Sequence, residues 1–516
     1  MSRSREFFGG LVLSYGYQAT VILSGLWLIP FYLSRIGQHD YGLWLVGSQL
    51  LTYLTLTDFG VVALLPLEIG YATGRGGGTK DVRELQHIIG QTLRVVLYQM
   101  PIVLAVAAGL WLTIPPEWQG LRKPLAIVLT GFVVSFPLRM LPDILRGLQD
   151  LTFTGGAQMV NWAVTTAATI LMVLAGWSLL ALAVGWLISQ LLLTPIFLWR
   201  IWTRFPGLMP SRLPPLIWSS TRQQLGKGFW VSLSQVAVML VGNTDVLIIG
   251  KLLGPAAVVP YTITGKLIMV LANQAQILMQ TATPGLCELK TGESRERLLR
   301  VLVALTHGVL TFGGLVFCVV LVINHWFVDW WISAKQHGEQ YGGFALTVVF
   351  LVAIVLRQWT TTTSYSVFCF GYQRRISLTN LADGVVTAAS CWGLTMLFGL
   401  PGAAAGTIIG ACLISLPFNL AVVARDSGES IVGLIRKMLA SWFLRFAPMA
   451  AGVLCVALLW SPRSLWEAAA AAVCVTALYC ALMIPNILRS PLGIYLEPLT
   501  SALRAKFVAL QIRFSS

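Results

Sequence analysis

The chain has 516 residues, 56% of them hydrophobic and only 11% charged, with a mean hydropathy of +0.77 and a formal net charge of +15. Soluble domains carry about 25% charged residues, so a water-soluble globular protein is excluded. A membrane β-barrel is excluded too: its spans alternate over about 10 residues, whereas "VVTAASCWGLTML" and "AAAAAVCVTALYCALM" are continuously apolar.

A helix needs about 20 apolar residues to cross a bilayer core, and stretches of that kind recur from end to end. We expect an all-α polytopic membrane protein with about fourteen transmembrane helices. In chain order they cover residues 10–33, 42–66, 90–113, 124–144, 157–176, 178–199, 229–250, 257–281, 301–324, 344–370, 377–399, 401–422, 444–461 and 467–486. The first run is too long for a signal-peptide core and ends without a small-residue cleavage pattern. The pairs meeting at Gly176 and Gly399 are the least certain to be two spans rather than one.

Charge placement sets the expected topology. With the N-terminus inside, 25 Lys and Arg fall on the cytoplasmic side and 6 outside, a bias that places both termini in the cytoplasm. The positive charge thus has a topological role, and no nucleic-acid partner is expected.

The proline-rich stretch "FPGLMPSRLPPL" forbids a regular helix. It divides the chain into an N-terminal lobe at 1–204, a cytoplasmic linker at 205–228, a second lobe at 229–430, and two further spans with a tail at 431–516. An echo between "FYLSRIGQHDYGLWLV" and "IIGKLLGPAAVVPYTI" suggests parallel repeats, with chance similarity of short apolar turns as the competitor.

Four basic residues lie inside predicted spans: Arg94, Arg139, Lys266 and Arg357. Arg357 is about 13 residues into its span, about 20 Å deep. An arginine there costs about 2.5–3.5 kcal/mol even on the lenient insertion scale, so it should face protein or water. Gln358 and Thr360–Ser364 extend a polar stretch along the same helix.

Lys266 is also central, and helical spacing brings Asn273 and Gln280 to roughly its face; interhelical hydrogen bonding is the alternative reading of those amides. Arg139, between Pro137 and Pro142, and Arg94 lie nearer the cytoplasmic ends, where snorkelling is possible. Asp58 and Asp245 are the deepest acids, candidates for ion coupling or for charge pairing with a buried base. Asp143, Asp383 and Glu467 lie near span ends.

Other chemistry is thin. The five histidines are scattered, no metal motif appears, and the cysteines read as small buried hydrophobes. "GRGGGTK" lacks phosphate-loop spacing, so it reads as a flexible loop. Neither a metal nor a cofactor is expected. Tryptophans at span ends read as interface anchors, with "NHWFVDWW" alternatively an external lid or partner surface.

Three segments resemble the polysaccharide-exporter branch of the multidrug/oligosaccharidyl-lipid/polysaccharide flippase superfamily: "LIPFYLSRIGQHDYGLWLVGSQLLTYLTLTDFGV", "NTDVLIIGKLLGPAAVVPYTITGKL" and "ILRGLQDLTFTGGAQMVN". The resemblance implies a MATE-like architecture of two six-helix lobes plus two helices, with a central cavity and alternating access. It implies a polyprenyl-diphosphate-linked oligosaccharide carried from the cytoplasmic to the outer leaflet of a bacterial inner membrane, as in O-antigen or capsule assembly.

Family members carry bases in the cavity, and Lys266 and Arg357 are plausible counterparts, with Arg139, Arg94, Gln358, Asn273 and Gln280 as further substrate-binding candidates. The expected partners are the lipid-linked glycan and membrane lipids, with a polysaccharide polymerase as a further candidate and a monomer as the expected state. The alternative is an ion-coupled multidrug or organic-cation antiporter of the same fold, which would need acids rather than bases to dominate the cavity.

Overall fold

The computed structural model describes residues 3–75, 82–210, 213, 215, 218–271, 279, 295–332 and 340–489. No strand occurs among them. Eleven helices are long and apolar enough to cross a membrane, thirteen if two bent pairs are each one span. The sequence expectation of fourteen is therefore not reached among the described residues. The predicted span 257–281 is represented by the shorter apolar helix Pro255–Leu271, and its remainder is largely outside the described residues.

Chain contacts divide the molecule into two compact units, one built from Met1–Val259 and the other from Pro260–Ala334 with Gly338–Ser516. The first contains α1 (Arg3–Ile36), α2 (Gln38–Leu54), α3 (Val61–Arg75), α4 (Val82–Leu112), α5 (Arg122–Ser135), α6 (Met140–Gly147), α7 (Leu151–Leu174), α8 (Leu179–Arg204), α9 (Trp218–Gly242) and α10 (Thr244–Leu252). Helix α11 (Pro255–Leu271) holds the boundary. The second unit continues with α12 (Arg295–Ile332), α13 (Phe344–Cys369), α14 (Gln373–Phe398), α15 (Leu400–Gly410), α16 (Leu416–Ser427), α17 (Ile431–Ile435), α18 (Ser441–Leu459) and α19 (Leu465–Arg489).

Two predicted spans turn out to be broken. Residues 42–66 bend by 53° between α2 and α3, and 229–250 by 45° between α9 and α10. At the first break Phe59 and Gly60 both have positive φ, and Asp58 Oδ1 accepts the Gly60 N–H at 2.9 Å. The carboxylate thus replaces a backbone acceptor that the interrupted helix no longer supplies. A third irregularity, the 3-10 turn Phe136–Arg139, joins α5 to α6 at Pro137.

The chain does separate at Gly176 and Gly399. Gly399 sits at φ +64, a left-handed turn that glycine enters without steric cost. It reverses α14 into α15, and the returning helix carries Gly402, Gly406 and Gly410 on one face.

A methyl at Gly406 would lie 2.6 Å from the Cys391 backbone N, and one at Gly402 would strike the Leu394 carbonyl. Lipid offers no hydrophobic drive for helices to associate, so close backbone approach through small residues supplies the packing instead. Large apolar side chains such as Leu397, Leu444 and Leu459 remain exposed at the periphery, as expected of surfaces that meet hydrocarbon.

Substituting Gly406→Leu should destabilise the second unit by about 1–3 kcal/mol through overpacking. Gly393→Ala, where the added methyl meets nothing within 4 Å, should be neutral or slightly stabilising. Thermal unfolding of detergent-purified variants, followed by monodispersity, measures both; equal behaviour would remove the glycine face as the packing determinant.

Candidate functional site

Arg357 sits midway along α13, and its guanidinium is engaged within its own unit. Nη1 donates to Asp383 Oδ2 at 2.5 Å and Nη2 to Asp383 Oδ1 at 3.0 Å, a bidentate pair. Nη2 also reaches Thr387 Oγ1 at 3.0 Å and the Thr407 carbonyl at 2.9 Å. Asp383 further accepts from Thr387 Oγ1 at 3.0 Å and from Ser415 Oγ at 2.5 Å.

The carboxylate is 3% exposed and the arginine side chain 21%. The short π-turn Ala411–Ser415 between α15 and α16 delivers Ser415 to this cluster, and Gly410 leaves room for the Asp383 carboxylate where any side chain would collide. Asp383 was not among the candidate residues.

Gln358, the next residue, is buried at 6% exposure, and its amide lies against Gly313 of α12. Neither amide atom has a hydrogen-bond partner. The hydroxyls that follow are occupied locally: Thr360, Thr361 and Thr362 donate to the carbonyls of Leu356, Arg357 and Gln358 at 2.8–3.0 Å. Such back-bonding satisfies the donor and leaves the oxygen able to accept.

Lys266 is half-buried on α11, with neither a carboxylate nor a hydrogen-bond partner among the described residues. Asn273 and Gln280 lie outside the described residues.

The first unit holds a second polar group where α2 meets α3 and where α5 meets α6. Asp58 is 6% exposed, and its carbonyl accepts from Gln99 Nε2 at 3.1 Å. Arg139 interacts electrostatically with Asp58 and Asp143. Its guanidinium carbon lies 5.1 Å from the Phe132 ring centre and 5.7 Å from that of Phe136, and Nη1 is buried without a hydrogen bond.

Arg94 is half-buried on α4 and has an interacting neighbour. Asp245 occupies the first turn of α10, where its Oδ1 accepts the Val246 N–H at 2.8 Å, a placement that the helix N-terminus favours by itself.

A neutral polar pair also links two helices of the first unit, Asn161 of α7 donating to Ser189 of α8 at 2.7 Å.

Residues 145–336 match the family model described as polysaccharide biosynthesis protein. No curated protein matches the chain by sequence. Among solved structures, the lipid II flippase MurJ in an inward closed conformation is similar with a TM-score of 0.66 at 10% identity, covering 92% of this chain and 100% of that one. An inward-facing multidrug-resistance MATE transporter of the MOP superfamily is similar with a TM-score of 0.61 at 12% identity, covering 78% and 94%. An outward-facing MATE transporter gives 0.53 at 14%, covering 83% and 97%. The chain therefore shares the fold of the lipid II flippase MurJ and of the MATE transporters.

Proposed function

We propose that this protein is a flippase that moves a polyprenyl-diphosphate-linked oligosaccharide from the cytoplasmic to the outer leaflet of a bacterial inner membrane, by alternating access, for surface polysaccharide assembly. The observation that carries the reading is Lys266, a cation on an apolar helix with no anionic partner among the described residues. An ionisable group inside a membrane helix is costly unless something compensates it. A diphosphate headgroup, itself prohibitively expensive to bury unpaired, is an anion of the right chemistry to do so.

Arg139, with a buried Nη1 lacking a hydrogen bond, and Gln358, with both amide atoms unsatisfied, are further polar groups awaiting a polar guest. In this reading Lys266 meets phosphate oxygens and Gln358 meets glycan hydroxyls, while the prenyl chain stays in lipid; Arg139 and Arg94 remain candidates within the first unit by itself.

Arg357 has a different role: Asp383 already takes its donor fork, so it holds α13 to α14 and, through the Thr407 carbonyl, to α15. The lipid II flippase shares this fold and handles an amphiphile, which supports the substrate class. The family match to polysaccharide biosynthesis supports a glycan headgroup, O-antigen or capsule precursors being the nearest fit, with a polysaccharide polymerase as the downstream partner.

A second reading, ion-coupled export of an organic cation, is favoured by one observation, the buried Asp58 carboxylate. Proton- or sodium-driven efflux of a fluorescent cation from proteoliposomes, lost on Asp58→Asn, would select it over lipid flipping.

In proteoliposomes supplied with a polyprenyl-diphosphate disaccharide, Lys266→Gln should lower translocation at least tenfold with normal yield of folded protein. Undiminished transport would remove the lysine, and with it the basis of the flippase reading.

Asp383→Leu alone should cost about 3–5 kcal/mol by leaving a buried guanidinium unpaired, and adding Arg357→Met should restore most of that stability. If the double variant folds and still transports, Arg357 is structural as assigned. If it folds and transports nothing, the arginine contacts substrate after all.

A further inference from the structure

At the end of the first unit that the charge bias assigns to the cytoplasm, the α6–α7 connection, the start of α4 and the segment after α8 enclose a pocket of about 350 Å³. Its lining includes Gln149, Asp150, Arg204 and Phe205 over an apolar floor of Leu85 and Leu208. None of these residues takes part in the transport mechanism above.

Gln149 is the informative one. Helix α6 closes with paired backbone bonds, Gln149 N to the Arg146 carbonyl and Asp150 N to the Leu145 carbonyl, both 3.0 Å. This closure places the intervening residue in the left-handed region, where glycine is strongly preferred, yet the residue is glutamine at φ +63.

The second unit contains an internal control. Helix α13 ends with the same pair of bonds, Gly371 N to Phe368 and Tyr372 N to Val367, and there the left-handed residue is Gly371 at φ +88. The neighbouring contact is repeated as well. Arg200 of α8 pairs with Asp150 at 2.7 and 3.2 Å, while Arg425 of α16 bonds the Tyr372 hydroxyl at 2.5 Å. The same closure also ends α7 at Gly176 and α16 at Gly428, so of four such turns three use glycine and one a strained residue whose side chain lines a pocket. Strain of this kind persists where it serves a function.

The charges indicate what the pocket takes. Asp150 is neutralised by Arg200, whose guanidinium also lies 4.4 Å from the Phe153 ring centre. Arg204 has no carboxylate partner among the described residues, so the pocket is net positive. An amide that both donates and accepts suits sugar hydroxyls. A guanidinium fork without a carboxylate partner among the described residues suits phosphate.

We infer that this pocket binds a phosphorylated sugar headgroup on the cytoplasmic side, with Gln149 reading hydroxyls and Arg204 holding the phosphate. As a loading site for the transported glycolipid, the inference rests on the flippase reading. As a site for a soluble sugar phosphate, it stands without it.

The test uses the full chain in nanodiscs with two probes, glucose 1-phosphate and a polyprenyl-diphosphate disaccharide. Gln149→Gly removes the strain and the amide together, so it should raise the melting temperature by about 2 °C while weakening binding of at least one probe tenfold or more. Arg204→Gln should weaken the same probe similarly. Gly371→Gln, which meets no neighbouring atom, should lower the melting temperature and leave binding unchanged.

Loss confined to the lipid-linked probe supports the glycolipid source, and loss of both supports recognition of the sugar phosphate itself. Wild-type affinity in Gln149→Gly for both probes, or no binding of either by the unmodified protein, overturns the inference. Intact binding by a protein that translocates nothing would overturn the flippase reading and leave this site standing.

Discussion

Hydrocarbon supplies no hydrogen bonds, so a polar group carried into a membrane helix must find its partner in the protein or in whatever enters it. The Arg357–Asp383 cluster is the most extensively bonded case, only Arg357 Nε being buried without a hydrogen bond. The arginine makes four bonds to three residues, and the carboxylate also takes one hydroxyl from its own helix and one from the turn after α15. That satisfaction makes the cluster a structural fastening, and it moves attention to the groups left over. Arg139 in the first unit and Gln358 in the second are among those groups.

The same constraint explains where the helices break. Each interruption frees backbone donors or acceptors that must be met inside the unit. Asp58 meets one with its carboxylate, Gln99 reaches the Asp58 carbonyl from α4, and Tyr53 bonds both the Met239 carbonyl and Thr244 at the α9–α10 bend. Polar residues at these bends thus serve the backbone, although Gln99 Oε1 and Arg139 Nη1 are buried without a hydrogen bond of their own.

Much of the fold could be read from the sequence because hydropathy over 20 residues is an integral property: errors at single positions average out. Bends were not readable, since the 53° break hangs on the φ of Phe59 and Gly60 alone, and a run of apolar residues looks the same straight or broken. Arg357 announced itself by depth, whereas its partner did not. In the sequence Asp383 lies near the end of its own span, but pairing depends on the register between neighbouring helices. The repeated G-x-x-x-G spacing at Gly402, Gly406 and Gly410 was the available signal, because it fixes which residues of α14 and α15 stand opposite each other. Gln149 was invisible for a related reason: nothing in its neighbours declares a left-handed backbone without the helix closure around it.

The glycine face between α14 and α15 has a mechanical consequence. With backbones in near contact at three successive turns, the two helices cannot slide or roll past one another without a collision. Any displacement of Gly410 is passed to Asp383, and through it to Arg357 on a third helix. The three elements form a stiff lever, so a displacement at the Gly399 turn is carried to the Arg357–Asp383 pair.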